Sequence, residues 1–149
     1  MPKREIKNIY FVDDSDDEIF MAKIFFKRQN IGPEFQAFTS LEDLYDFLNT
    51  SSTFDPDTSI CVLDMNLTLC KGTEGVAHIR ASKIGPKLTL GISTGSEDPA
   101  DRLNAKEAGA DFFVGKPLDR ATIEAICDSV PKLSRTGNED EVLRIYRAI

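Results

Sequence analysis

Residues 60–68 read ICVLDMNLT: four apolar residues in a row, a carboxylate, then a mixed apolar and amide run. Four consecutive apolar residues without alternation are the pattern of a strand covered on both faces, as in a parallel sheet with helices above and below. Closing such a strand on Asp64 is costly unless something compensates the charge. The segments around it decide which fold carries that aspartate and what it does there.

On the N-terminal side, residues 8–12 (NIYFV) form a short apolar run that ends in acids, and residues 16–28 place Ile19, Ile24 and Phe26 at helical spacing. Residues 34–40 alternate around Phe35, Ala37 and Phe38, and Ser40 caps a helix carrying Leu41, Leu44, Tyr45 and Leu48. A polar loop leads into the strand at 60–63, which is therefore predicted to be central. Beyond Asp64, a loop from Met65 to about Thr73 precedes a helix over 74–83, a strand over 87–94 and a helix over 98–110 closed by Gly109. A strand over 111–117 and a helix over 118–130 with Asp119 as its N-cap complete the alternation. Five strand-helix units predict an α/β fold with a five-stranded parallel sheet flanked by helices, because right-handed crossovers need helices between parallel neighbours.

The totals bound the function. A chain of 149 residues makes one domain, and 41% hydrophobic against 29% charged residues, with no apolar run near the roughly 20 that a span requires, predicts no membrane segment. The N-terminus has basic residues but no apolar stretch behind them, so a signal peptide is not expected and a cytoplasmic location is. A net charge of −7 speaks against direct DNA binding. Cys61, Cys70 and Cys127 are odd in number and show no paired spacing, which suits a reducing compartment, with Cys61 and Cys127 as small buried residues. The lone His78 rules out a His-rich metal site and reads as a helix-surface or groove residue.

In a sheet of this kind ligands sit at the carboxyl ends of the strands. That edge collects Asp13 and Asp14 after the first strand, Asp64 after the third, Thr94 after the fourth and Lys116 after the fifth. Each alone has an ordinary use as a helix cap, a turn residue or an exposed lysine. Together, at four separate strand ends, they make a site. Three carboxylates in one partly desolvated pocket need protons or a cation, and an oxygen-only set with a backbone carbonyl near Asn66 suits Mg²⁺. A cation, an ammonium and a hydroxyl surround the charge of a phosphoryl group, which makes Asp64 the nucleophile.

These residues resemble the receiver domain of bacterial two-component response regulators, from about Ile6 to about Leu133. FVDDSDD is similar to that family's acidic-pair segment, VLDMN to its phosphoacceptor segment, ISTGS to its strand-four hydroxyl segment and EAGADFFVGKP to its closing Lys-Pro segment. The separations of 30 residues from Asp64 to Thr94 and 22 from Thr94 to Lys116 are those of a standard receiver. The resemblance implies a flavodoxin-like fold and a phosphoacceptor signalling protein, not an enzyme. Asp64 takes a phosphoryl group from a sensor histidine kinase or histidine phosphotransfer protein, with Mg²⁺ held by Asp13, Asp14, Asp64 and the Asn66 carbonyl. Thr94 and Phe113 are then the switch pair that reports phosphorylation to an output protein, Asn66 and Ser96 tune dephosphorylation, and the Lys116–Pro117 bond is expected to be cis.

Two departures stand out. The family usually has a Pro a few residues after the phosphoacceptor and a Gly at eight, whereas here Thr68 replaces the Pro and both Gly72 and Gly75 are present; taking Gly75 as the counterpart makes the loop about three residues longer. That places Cys70 and Lys71 near the mouth of the site. The receiver is expected to span 6–133, followed by an extension over 134–149 too short for an effector core. Its acids, its late arginines, and Val142, Ile145, Tyr146 and Ile149 on one face predict a short amphipathic C-terminal helix, which packs back, forms a homodimer or docks a partner. The acidic start and the third loop also resemble small regulators that partner phytochrome-type kinases.

Two rival readings share the same residues. VLDMNLT approaches the D-x-D-x-T nucleophile motif of haloacid-dehalogenase-type phosphatases, but Asn66 cannot serve as their general acid and the acidic pair comes first in the chain, not last. A receiver-like module that binds its partner without phosphorylation is the other.

Overall fold

The computed structural model describes residues 2–96 and 98–149. Strands β2 (Asn8–Val12), β3 (Glu34–Phe38), β4 (Ser59–Asp64), β5 (Thr89–Thr94) and β6 (Phe112–Gly115) form one parallel sheet in the order β3-β2-β4-β5-β6. Helices α1 (Asp16–Arg28), α2 (Leu41–Thr50), α3 (Gly72–Arg80), α4 (Pro99–Ala108) and α5 (Arg120–Ser129) connect them. No described helix is long and apolar enough to cross a membrane.

All six residues of the central strand β4 are buried, and its side chains divide between two cores. Ile60 and Val62 join Ile9, Phe11, Phe26, Ile123 and Ile126 on the α1/α5 face. Cys61 and Leu63 join Tyr10, Val12, Leu44, Val76 and Ile92 on the α2/α3/α4 face. Both faces being covered is why 60–63 shows no alternation. Each Ile, Leu or Val fully buried there contributes about 1.5–3 kcal/mol.

Four of the five helices start on a side-chain cap. Ser15, Ser40 and Asp119 accept from the backbone N–H groups of Glu18, Asp43 and Thr122, and Gly109 ends α4 at a φ of 105°. Helix α3 begins at Gly72 and stops at Arg80, earlier at both ends than expected. The Arg80 guanidinium turns off the helix to bond the carbonyls of Gly85, Leu88 and Gly109 and the Asp111 carboxylate, tying α3 to the loops before β5 and β6.

The C-terminal extension is not a helix. Strands β7 (Leu133–Thr136) and β8 (Arg144–Ala148) pair antiparallel, and β1 (Lys3–Glu5) adds to β8, giving a second sheet in the order β1-β8-β7. The residues read as one helical face do not share a face: Val142 and Ile149 are 44% and 67% exposed, while Leu143 and Ile145 are fully buried in the α1/α5 core. Their spacing is two, the period of a strand. Backbone hydrogen bonds from Ile6 to Ile145 (2.7 Å), from Leu143 to Asn30 (2.8 Å) and from Gly32 to Leu143 (2.8 Å) lace the tail across the segments that enter β2 and β3. It therefore packs back on the domain, at the sheet edge opposite Asp64. Arg120, 8% exposed, holds the turn between β7 and β8 by donating to the carbonyls of Gln29, Glu141 and Asn138.

Candidate functional site

The parallel register delivers the site residues to one edge. Val12 pairs with Leu63, Asp64 with Ser93, and Thr94 with Gly115, so the carboxyl ends of β2, β4, β5 and β6 lie side by side. Asp13 follows β2, Asp64 ends β4, Thr94 ends β5 and Lys116 follows β6. One oxygen from each of Asp13, Asp14 and Asp64 falls within 4.8 Å of the others. The Lys116 ammonium sits 2.8 Å from Asp13 Oδ2 and 3.1 Å from Asp64 Oδ1. The Lys116–Pro117 peptide is cis, and the Lys116 N–H donates to the Thr94 carbonyl at 2.8 Å.

Burial differs sharply within the cluster. Asp13 is fully buried, Asp64 is 5% and Thr94 2% exposed, while Asp14 is exposed at the rim. Burial, then the neighbouring Asp13 charge, pushes the Asp64 carboxyl above its usual range against the pull of Lys116. For Lys116, burial works downward, but hydrogen bonding and charge pairing with the two aspartates outweigh it and the ammonium is held above its ordinary value. Asp14 is held below the carboxylate range, first by the Thr68 hydroxyl. A cleft of about 450 Å³ opens beside Asp14, lined by Leu41, Tyr45, Leu67, Cys70 and His78, so the rim acid is the one that meets solvent first.

Three carboxylates against one ammonium in contact leave a charge deficit that a divalent ion would match. The donors are all hard oxygens, the chemistry of Mg²⁺, Mn²⁺ or Ca²⁺ and not of a thiolate or imidazole metal. The residues present therefore fit such an ion.

The remaining expected residues lie around this centre. The Asn66 N–H points at Asp64 Oδ1 at 3.4 Å, and its side-chain oxygen accepts from the Lys71 ammonium. The Thr94 hydroxyl accepts from the Ser96 N–H at 3.0 Å. Phe113 is outside the acid cluster, half-buried on the edge strand β6 against the α2/α3/α4 core, with the Arg102 guanidinium 5.0 Å above its ring. His78 is exposed and stacks on Tyr45 at 4.2 Å. Cys61 and Cys127 are buried and Cys70 is half-buried in the cleft wall.

The loop after Asp64 is not lengthened. Gly72, eight residues on, donates to the Met65 carbonyl at 2.8 Å, and a Cβ there would lie 2.3 Å from the Asp64 carbonyl oxygen. Gly72 is thus the glycine the site needs, and Gly75 packs instead on Leu41 and Leu63. Sequence reasoning also missed Thr68, which bonds Asp14 across the mouth. Its only signal was its replacement of a proline.

A family model described as the response regulator receiver domain matches residues 9–128. No curated protein sequence matches the chain. Among solved structures, the chain is similar to the bacteriophytochrome response regulator RtBRR, with 18% identity and a TM-score of 0.72 over 92% of this chain and 84% of that one. A two-component response regulator from Cytophaga hutchinsonii aligns at 23% identity and a TM-score of 0.70 over 84% and 96%. The Mn²⁺-bound form of response regulator Rcp1 aligns at 20% identity and a TM-score of 0.63 over 80% and 88%.

Proposed function

The chain belongs to the response regulator receiver domain family, and from that premise we propose that it is the phosphoacceptor of a two-component phosphorelay, modified on Asp64 with the help of Mg²⁺. The observation that carries this is the placement of a nearly buried Asp64 against Lys116 and two further acids at one sheet edge.

A carboxylate oxygen of Asp64 attacks the phosphorus of a phosphohistidine on a histidine kinase or phosphotransfer protein. The P–N bond breaks, its electron pair returns to the imidazole nitrogen, which takes up a proton, and an acyl phosphate forms on Asp64. Asp13, Asp14, Asp64 and the Asn66 backbone carbonyl would hold the cation, which supplies charge neutralisation for the phosphoryl oxygens. Lys116, already in contact with Asp64, stays as the ammonium partner for the new dianion. The Thr94 hydroxyl leaves its local bond with Ser96 to donate to the phosphoryl group, and Phe113 moves inward toward the space it vacates. The altered α4/β6/α5 face is read by an output protein, in the cytoplasm. Asp14, Asn66, Gly95 and Ser96 are exposed around Asp64 and Thr94, and the donor approaches across them.

Incubation with Mg²⁺ and acetyl phosphate, followed by intact mass, tests the proposal. One added phosphoryl group is expected in the wild type, none with EDTA and none in Asp64→Asn. Unmodified wild type with acetyl phosphate and with a panel of phosphorylated histidine kinases would instead support a module that binds without phosphorylation.

A further inference from the structure

The loop between β4 and α3 makes a contact that phosphoryl transfer does not itself require. Thr68 donates both its backbone N–H, at 2.6 Å, and its hydroxyl to a single oxygen, Oδ2, of Asp14. The two residues are 54 positions apart, so this is a tertiary contact and not local capping. The donors arrive on a braced loop: Leu67 donates to the Cys70 carbonyl at 3.1 Å, Gly72 to the Met65 carbonyl at 2.8 Å, and Asn66 bridges to Lys71.

A carboxylate oxygen offers about two acceptor sites, so the two donors fill Oδ2, and among the described residues no other side chain or backbone partner takes Oδ1. Asp14 is exposed at the rim. Left alone, its side chain would sample several rotamers and lose that freedom on coordinating an ion. Asp13 and Asp64 are held by burial and by Lys116, and Asp14 has neither restraint.

We propose that Thr68 is a positioning residue for the divalent-cation site, fixing the Asp14 carboxylate through Oδ2 so that Oδ1 is its one coordinating oxygen. The contact spans the mouth of the pocket, so the same pair of bonds sets both the affinity for the ion and the position of the loop beside it. This rests on the cation-assisted phosphoacceptor reading, and the measurement separates the two.

Mn²⁺ is titrated into the metal-free protein and followed by the loss of the free-ion EPR signal, with Mg²⁺ as competitor, for wild type, Thr68→Val and Thr68→Ser. Thr68 is exposed and Val matches its shape, and far-UV circular dichroism and the urea midpoint in EDTA verify that each variant is folded. The wild type binds one Mn²⁺ that Mg²⁺ displaces, Val weakens that binding about tenfold, and Ser restores it to within about twofold, as expected for an outer-shell donor. Val binding as tightly as wild type, or more tightly, overturns the proposal, and so does Ser binding as weakly as Val. Wild type that takes up no Mn²⁺ overturns the cation reading itself, and the role of Thr68 with it.

Discussion

Replacing Lys116 with Met removes the one cation that, among the described residues, contacts the buried Asp13 and Asp64, while keeping most of the side chain's volume. The ammonium lies 2.8 Å and 3.1 Å from Asp13 and Asp64 and is itself only 18% exposed. At an effective dielectric near 20, each contact at about 3 Å is worth about 5 kcal/mol of Coulomb attraction before desolvation is subtracted. Removing one partner of a fully buried pair costs about 3–5 kcal/mol. Protonation limits the loss, because taking up a proton costs about 1.4 kcal/mol per pH unit above an ordinary carboxylate pKa near 4, or about 4 kcal/mol at pH 7. Asp64 starts above that ordinary value, through burial and the Asp13 charge, so its limit is lower still. The expected loss in EDTA is about 2–4 kcal/mol at pH 7 and about 1 kcal/mol at pH 5. The sign follows from linkage: without the ammonium the folded chain holds a proton to higher pH than the unfolded chain, so the variant loses stability as pH rises through that window. Urea unfolding at the two pH values measures it, and millimolar Mg²⁺ narrows the gap at pH 7 because the ion replaces the missing charge. A loss equal at pH 5 and pH 7 and indifferent to Mg²⁺ would refute the reasoning, leaving only packing as the role of Lys116.

Three further outcomes follow. Asp64→Asn stabilises the metal-free protein at pH 7 by on the order of 1 kcal/mol, since a carboxyl whose folded pKa is raised costs stability once it ionises; the gain fades as pH falls into the ordinary carboxylate range, and urea midpoints across pH 4–7 follow it. Gly72→Ala drives a Cβ to 2.3 Å from the Asp64 carbonyl oxygen, which is backbone and cannot step aside, so thermal melts show a loss of about 1–3 kcal/mol and phosphorylation slows as Asp64 is displaced. Arg120→Met removes the guanidinium that donates to the carbonyls of Gln29, Glu141 and Asn138, costing about 2–3 kcal/mol, and hydrogen exchange at the Leu143 amide quickens as the β7–β8 turn comes loose.

The parallel sheet and its caps were legible because their signals are local: an unalternating strand at 60–63, Ser40 and Asp119 before apolar helical faces, Gly109 after one. The acid cluster was legible because strand ends can be placed once strands can. The tail misled because Val142, Ile145, Tyr146 and Ile149 satisfy helical spacing while the residues that bury, Leu143 and Ile145, alternate over only one period. Strand β1, with Lys3, Arg4 and Glu5 all exposed, has no apolar pattern and exists only because β8 offers an edge to pair with. Arg120 has an ordinary i,i+4 partner in Glu124, but the carbonyls it bonds lie 17 to 91 residues away, beyond any window of sequence reasoning. Gly72 already stands eight residues after Asp64, so counting favours it over Gly75, and the close approach of the Asp64 carbonyl gives the physical reason.

The most direct test of the account is chemical identification of the modified residue. The protein is phosphorylated with acetyl phosphate and Mg²⁺, the acyl phosphate is trapped by borohydride reduction, and the digest is sequenced by mass spectrometry. The account predicts homoserine at position 64, in the peptide spanning β4, and at no other aspartate. Reduction at Asp13 or Asp14 in place of Asp64, or a stable phosphoryl group on a hydroxyl, would contradict it.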